Sequence, residues 1–159
     1  MEHTVLHNLW IAPIVALTLT QIAVIATSVY LHRGLAHRAL RLHPVIDGCW
    51  RGLLWLTTGQ SRREWVAVHR KHHTFTDRQG DPHSPQLLGL WHVQFWNVYY
   101  YIREARNPET IRTFAPDITE DWLDRRLFSR GLTGLALGIA LLCVVFGPWV
   151  GLAAGLVHA

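Results

Sequence analysis

Five histidines, arranged in two clusters, have the residue type and the spacing of a metal site. His69, His72 and His73 form an H-x-x-H-H run. On an α-helix, residues three and four positions apart lie on one face, so these imidazoles can converge on a metal ion. Imidazole suits iron, zinc, copper or nickel. A zinc-protease site is disfavoured, because position 70 is Arg and the glutamate of H-E-x-x-H is absent.

His32 and His37 form the other cluster, in the run H-R-G-L-A-H-R. Five residues of α-helix turn the second side chain about 140° away from the first, so this pair does not share a helix face. The pair converges only if the helix ends or bends between them. Gly34 and the end of an apolar segment at Leu31 favour such a break. We therefore predict one metal site that draws on both clusters.

The composition favours a membrane protein of a single domain. Half of the 159 residues are hydrophobic and 16% are charged, against about 25% charged in ordinary soluble domains. All 15 Lys and Arg lie between Arg33 and Arg130. A basic middle flanked by apolar ends disfavours nucleic-acid binding and agrees with the positive-inside rule, which places both of its flanks in the cytoplasm. Two cysteines indicate no disulfide framework.

Two uncharged stretches have the length and composition of membrane helices. Residues 9–31 extend about 34 Å as a helix, enough to cross a bilayer core of about 30 Å. After residue 130 the chain is again uncharged, with a predicted span at 131–147 and the start of another at 149–159. We expect residues 32–130 to be cytoplasmic or interfacial. The whole chain, 1–159, is thus predicted as one all-α integral membrane domain that looks truncated.

Two further segments have the composition of interfacial helices. Residues 44–60 read as an amphipathic helix in the membrane surface, with Asp47 and Arg51 as an i,i+4 ion pair. Residues 87–102 are rich in Trp, Tyr and Phe, which favours the membrane interface. A core helix of a soluble protein is the alternative for this second segment.

Smaller patterns predict local structure. Asp117 with Glu120 three residues later resembles a capping box that opens a short helix. Gly134 and Gly138 have the small-x-x-x-small spacing that permits close packing of membrane helices.

Three runs of the sequence resemble the membrane fatty acid desaturases. They are H-R-G-L-A-H-R, E-W-V-A-V-H-R-K-H-H and D-P-H-S-P, and the resemblance covers about residues 9–157. The most similar branch is the bacterial acyl-CoA or acyl-lipid delta-9 group, related to stearoyl-CoA desaturase. The resemblance implies an all-helical membrane fold with a cytoplasmic histidine-rich cap and two non-haem iron ions. It also implies an enzyme of unsaturated fatty acid biosynthesis, which uses O₂ and two electrons to place a cis double bond in an acyl chain.

The resemblance assigns roles to individual residues. The implied metal ligands are His32, His37, His69, His72 and His73. Trp65 matches a tryptophan that lines the acyl tunnel, with simple packing as the alternative. The implied partners are an acyl-CoA or acyl-lipid substrate, membrane lipid and an electron carrier such as cytochrome b5 or a ferredoxin-type protein. The implied location is the bacterial inner membrane, with several spans and a site that faces the cytoplasm.

Carboxylates usually orient the imidazoles that bind a metal. Glu64, Asp77 and Asp81 are near enough in sequence to the second cluster to take this role, and His83 is a further candidate. Solvated surface charge is the alternative for each carboxylate.

The sequence also departs from the family pattern. A third box, H-x-x-H-H, and an Asn and a His of a later helix are absent. Ala67 and Val68 stand where animal acyl-CoA members carry Arg-Asp, which questions a preference for CoA. Five histidines cannot fill two iron coordination spheres, so we expect a front part of a desaturase that is inactive alone. The alternatives are a membrane hydroxylase or sterol-type oxidase, and a non-enzymatic membrane protein that binds metal or haem.

Overall fold

The computed structural model describes residues 10–158, which form helices joined by turns, with no strand in that range. The all-α expectation is therefore confirmed for this part of the chain. The α-helices are α1 (Ile11–Ala26), α2 (Pro44–Thr57), α3 (Arg62–Phe75), α4 (Pro85–Leu88), α5 (Leu90–Ala105), α6 (Pro108–Phe114), α7 (Gly131–Phe146) and α8 (Pro148–His158). Two segments, Thr27–Ala36 and Asp124–Phe128, are π-helices.

The described residues divide into two compact units. One comprises residues 10–30, 41–61 and 122–158 and contains α1, α2, α7 and α8; we call it the apolar unit. The other comprises Leu31–Leu40 and Arg62–Asp121 and contains α3 to α6; we call it the histidine unit. The π-helix Thr27–Ala36 continues α1 without interruption and carries the chain from the first unit into the second.

Small residues allow the helices of the apolar unit to approach closely. Ala12 and Ala16 of α1 pack against Val150 and Ala154 of α8. A methyl group on Gly138 of α7 would lie only 2.2 Å from the carbonyl oxygen of Leu56. The same substitution at Gly134 would lie 2.3 Å from the carbonyl oxygen of Trp55. Close packing at the predicted glycine pair is therefore confirmed.

Within the apolar unit, ion pairs connect α2 to the π-helix Asp124–Phe128. The Arg51 guanidinium, only 10% exposed, lies 2.9 Å from Asp47 and 3.2 Å from Asp124. The Tyr30 hydroxyl donates to Asp47 at 2.7 Å. The predicted i,i+4 pair is confirmed, and its charges are satisfied where burial would otherwise be costly.

Among residues 10–158, one helix is long and apolar enough to cross a bilayer by its length and composition. It runs over Ile11–Ala36, has 26 residues and covers residues 11–31 of the first predicted span, whose first residue, 9, lies outside the described residues. The next apolar helix, α7, is shorter, with 16 residues.

The histidine unit has its own small core, built where α3 packs on α6. Val66 and Ala67 of α3 are fully buried against Ala115 and Ile118. The predicted capping box at Asp117 is wrong, because residues 115–121 are not helical and the next helical turn begins at residue 122. The Asp117 carboxylate accepts hydrogen bonds from arginine side chains instead of capping a helix.

Helix α5 packs a polar residue against the histidine unit and exposes large aromatic residues, which is the reverse of the usual pattern in a soluble protein. Its packed side carries Glu104, which is buried and binds Lys71 and Thr110. Its open side carries Trp91 and Phe95, which are 70% and 74% exposed. Within residues 10–158, the largest side chains of this segment are therefore not part of a buried core.

Candidate metal centre

The π-helix brings the first two histidines together. In a π-helix the hydrogen bonds join residues five apart, so side chains with this spacing lie nearly above one another. The His37 amide donates to the His32 carbonyl at 3.0 Å, one residue beyond the last π-helical position. The two Nε2 atoms are 3.3 Å apart. The separation of about 140° expected for an α-helix is removed by widening the helix, and no sharp break is needed.

Four imidazoles from two segments converge within the histidine unit. The donor nitrogens of His32, His37, His69 and His73 all lie within 4.8 Å of one another. The Nε2 atoms of His69 and His73 are 2.9 Å apart. A metal ion held at about 2.1 Å by imidazoles needs their nitrogens roughly 3–4 Å apart. The four residues could therefore hold one transition-metal ion after small movements of their side chains.

Burial favours the neutral, metal-binding form of His32, His69 and His73. Burial, the largest cause, and the neighbouring imidazoles His73, His32, His37 and His72 together lower the pKa of His69 to about 3. The pKa of His73 is also lowered, chiefly by burial. A histidine must be neutral to donate its lone pair to a metal. His69 therefore offers that lone pair at neutral pH.

His72 lies in a separate group with Asp81 and His83. Its Nδ1 is 2.9 Å from Asp81 Oδ1, and the Asp81 side chain is fully buried. Burial alone would raise the pKa of Asp81, but hydrogen bonds from His72 and from the His83 and Asp77 amides lower it below its ordinary value. An ionised Asp81 accepts the Nδ1 proton of His72. The lone pair of His72 then lies on Nε2, where a metal ion can bind.

The other predicted orienting residues have different surroundings. The His83 ring stacks on His72 at 4.7 Å, and its buried Nδ1 has no hydrogen-bond partner among the described residues. Asp77 accepts the Ser84 hydroxyl at 2.7 Å. Burial raises the pKa of Glu64, and the nearby Glu120 raises it further. Within residues 10–158 neither Asp77 nor Glu64 has a hydrogen bond to a histidine, whereas Asp81 does.

Three curated relatives show what the chain is similar to. It is 30% identical over 154 residues to a hex-5-enoyl-(acyl-carrier protein) acetylenase of Moorena producens (strain JHB), covering 85% of the chain and 45% of that protein. It is 35% identical over 116 residues to delta-9 acyl-lipid desaturase 1 of Arabidopsis thaliana, covering 71% of the chain and 36% of that protein. Over 98 residues it is 35% identical to delta-9 desaturase-like 2 protein of the same plant, covering 60% of the chain and 31% of that protein.

The chain belongs to the membrane fatty acid desaturase family. It spans less than half the length of the three relatives named here. No family model and no solved structure matches it.

In this desaturase-family chain, Trp65 lies directly against the candidate metal centre. Its ring stacks on His69 with the centroids 4.4 Å apart and the planes 17° from parallel. Its other contacts are with the buried core of the histidine unit. The stacking shields one face of the His69 ring from water, and a role in lining an acyl tunnel stays a prediction.

Arg70 and Asp117 border the four-histidine cluster, although the sequence alone predicted a role there for neither residue. Arg70 donates to the carbonyl oxygens of Leu35 and Ala36 and pairs with Asp117. This pairing lowers the pKa of Asp117 to about 2. Both residues line an open cavity of about 470 Å³ that also includes His37, His69 and His73. In the sequence, the only indication was the Arg inside the H-x-x-H-H run. Its role could not be predicted, because the groups that it binds are distant in sequence.

Proposed function

We propose that this chain is part of an O₂-dependent fatty acyl desaturase that places a cis double bond, at the delta-9 position, in an acyl chain. The four-histidine cluster would hold one non-haem iron, and His72 would belong to a second iron position beside Asp81 and His83. The observation that carries the proposal is the convergence of four imidazole donors within 4.8 Å in a chain of this family.

The proposed reaction has a simple balance. Two neighbouring CH₂ groups lose one hydrogen each, and O₂ takes up these two hydrogens with two electrons and two protons to give two molecules of water. Iron ions bound at the two positions would supply the O₂ activation that cleavage of an aliphatic C–H bond requires.

The residues of the chain prepare the site for that chemistry. Burial keeps His69 neutral at physiological pH, and Asp81 orients His72 through Nδ1. Trp65 covers the His69 ring and offers a rigid apolar wall for the acyl chain.

The substrate carrier, the electron donor and the location complete the proposal. The names of the relatives include an acyl-carrier protein substrate and acyl lipids, so these join acyl-CoA as candidate carriers. Electrons would come from cytochrome b5 or a ferredoxin-type protein. Basic residues next to the apolar segments, such as Arg33, Arg38 and Arg125, support a multi-pass protein of the bacterial inner membrane with its site in the cytoplasm.

Metal content tests the core of this proposal. The chain is purified in detergent from iron-replete cells, and its iron is measured by mass spectrometry and its absorbance recorded. We expect non-haem iron in the wild type and at least a tenfold lower content in His69→Ala. His92→Ala, at an exposed histidine outside both clusters, is the control. An unchanged content in His69→Ala would overturn the metal site, and a Soret band would favour the haem-binding alternative.

Product analysis tests the substrate and its carrier. The protein is expressed in a host whose acyl chains are analysed by gas chromatography, separately for lipid-bound and thioester-bound chains. We expect a cis-unsaturated product that disappears in His72→Ala while membrane insertion is kept. Undiminished product in that variant would refute the role of His72.

A further inference from the structure

The first histidine pair sits at a helix end whose backbone needs outside partners. The last carbonyl groups of a helix accept no hydrogen bond from an N–H group of the same helix. The π-helix ends at Ala36, so the carbonyl groups of Leu35 and Ala36 are in this position. His37 follows immediately, is exposed, and has its Nε2 beside that of His32.

Arg70 supplies the missing donors from the neighbouring helix. Its Nε donates to the Ala36 carbonyl at 3.0 Å and its Nη2 donates to the Leu35 carbonyl at 2.9 Å. Its Nη1 also donates to the Phe114 carbonyl at 3.0 Å. One guanidinium therefore joins the end of the π-helix, helix α3 and the end of helix α6. Only a planar group with several fixed donors can make these bonds together.

Asp117 holds the guanidinium in place from its outer side. Its two carboxylate oxygens accept from Arg70 Nη1 at 2.6 Å and from Nη2 at 3.2 Å. Arg38 adds a second ion pair to the same carboxylate at 2.9 Å. Arg38 itself has a φ of +54°, a left-handed conformation that is unfavourable for a residue with a side chain. A strained residue directly after His37 is thus kept by a contact to the same carboxylate that orients Arg70.

We propose that Arg70, held by Asp117, is a positioning residue that fixes the end of the π-helix and therefore the His37 imidazole against His69 and His73. His69 and His73 lie on α3, the same helix as Arg70, so their placement does not need this contact. His37 lies beyond the last π-helical residue and depends on it. The inference rests on the proposed metal site and adds a residue that acts on one ligand of it.

A double-mutant cycle measures whether Arg70 acts through His37. The full chain is purified in detergent, stripped of metal and titrated with Co²⁺, whose visible absorption reports binding by imidazole. We expect Arg70→Ala to weaken Co²⁺ binding at least tenfold, as loss of a ligand's support typically does. In a His37→Ala background we expect the same change to cost less than threefold. Arg112→Ala, at an exposed arginine of α6 outside this network, should change neither value.

The cycle separates positioning from a general structural role. If Arg70→Ala weakens binding by a similar factor in both backgrounds, or by less than threefold in the wild type, the inference is wrong. A wild-type chain that binds no Co²⁺ would remove the metal site itself, and the positioning role with it. If Arg70→Ala fails to fold by circular dichroism, Arg70→Lys and Asp117→Asn take its place, because both remove the forked contact with a smaller change. Their losses should again shrink at least threefold in the His37→Ala background.

Discussion

The four imidazoles of the cluster are neutral donors, so a divalent ion bound there keeps its full positive charge. His69 has its pKa held at about 3, so protons compete poorly for its nitrogen at neutral pH. No carboxylate belongs to this group among the described residues. A strongly positive metal centre favours oxidising chemistry, which agrees with the reaction proposed for the family to which the chain belongs.

His72 lies to one side of this cluster, with its ring centroid 5.7 Å from that of His73. On α3, His69 and His73 are four residues apart and about 40° apart around the helix axis, whereas His72 and His73 are adjacent and about 100° apart. The sequence could predict that these residues bind metal, but it could not divide them between two groups. That division depends on Asp81, which reaches His72 through a loop whose path the sequence does not specify.

Asp81→Asn is expected to reverse the hydrogen bonding of His72. The Asn amide can donate to Nδ1, which would move the proton to Nε2 and block the metal-binding nitrogen. Imidazole ¹⁵N NMR of the metal-free chain should show protonated Nδ1 in the wild type and protonated Nε2 in the variant, with a 10- to 100-fold weaker metal affinity at that position. Asp77→Asn, which leaves its bond with Ser84 possible, is the control. An unchanged tautomer in Asp81→Asn would contradict the orienting role.

Asp117 should make the stability of the histidine unit depend on acid. Its pKa falls from 3.8 to about 2 on folding, chiefly because of the Arg70 hydrogen bonds. A lowered pKa stabilises the folded state above pH 3.8, and this contribution is lost as the pH falls from 3.8 towards 2. We expect Asp117→Asn to melt below the wild type at pH 5 and to match it near pH 2. A difference that persists at pH 2 would mean that the ionised carboxylate is not the source.

At the scale of helices, the contact of α7 with α2 requires glycine. Gly138→Ala places a methyl group 2.2 Å from the Leu56 carbonyl oxygen, and such overpacking costs about 1–3 kcal/mol. Gly52→Ala in α2 is the matched control, because a methyl group there meets nothing within 4 Å. It should stabilise the helix by about 0.5–1 kcal/mol. Thermal unfolding in detergent should therefore shift in opposite directions for the two variants, and equal shifts would contradict the packing.

The exposed face of α5 has the residues of a membrane-interface helix. A nitroxide label at Phe95 should collide more often with O₂, which dissolves in lipid, than with a water-soluble nickel chelate when the chain is in bilayers. A label at the exposed Glu109 should show the reverse preference. Both are made in a chain whose native cysteines, Cys49 and Cys143, are replaced. Equal access of the nickel chelate to both labels would place α5 in water.

Local patterns predicted the elements well where one interaction decides the outcome. The glycine spacing of α7 and the spacing of Asp47 and Arg51 can each be read along one helix, and both the close helix packing and the ion pair are observed. The capping box at Asp117 failed because the same carboxylate can bind arginines that are distant in sequence, and the forked contact with Arg70 provides more hydrogen bonds than a helix end. The π-helix was not predicted either, because no residue type specifies it.

At the scale of the whole molecule, two distant parts of the sequence build one site within one unit. His32 and His37 precede the stretch 41–61, which belongs to the apolar unit, and His69 and His73 follow it. A metal ion bound by all four would therefore join chain segments that are separated by more than thirty residues. Such a cross-link should stabilise the folded chain.

Removal of metal should lower the stability of the whole chain. A ligand that binds only the folded state at 100 times its dissociation constant adds about 2.7 kcal/mol. We therefore expect divalent metal to raise the melting temperature of the wild type and a chelator to reverse the shift. His69→Ala should melt at the same temperature with and without metal. A metal-dependent shift that persists in this variant would point to binding elsewhere.

The widened helix around His32 makes the chain sensitive to a change in its length. Deleting one residue between His32 and His37 would leave four steps between them, a spacing that an ordinary α-helix already stacks. A chain with three residues between two such histidines can thus use α-helical geometry, whereas this chain, with four, depends on the π-helix. The number of residues between the two histidines therefore indicates which backbone hydrogen bonds the helix must form.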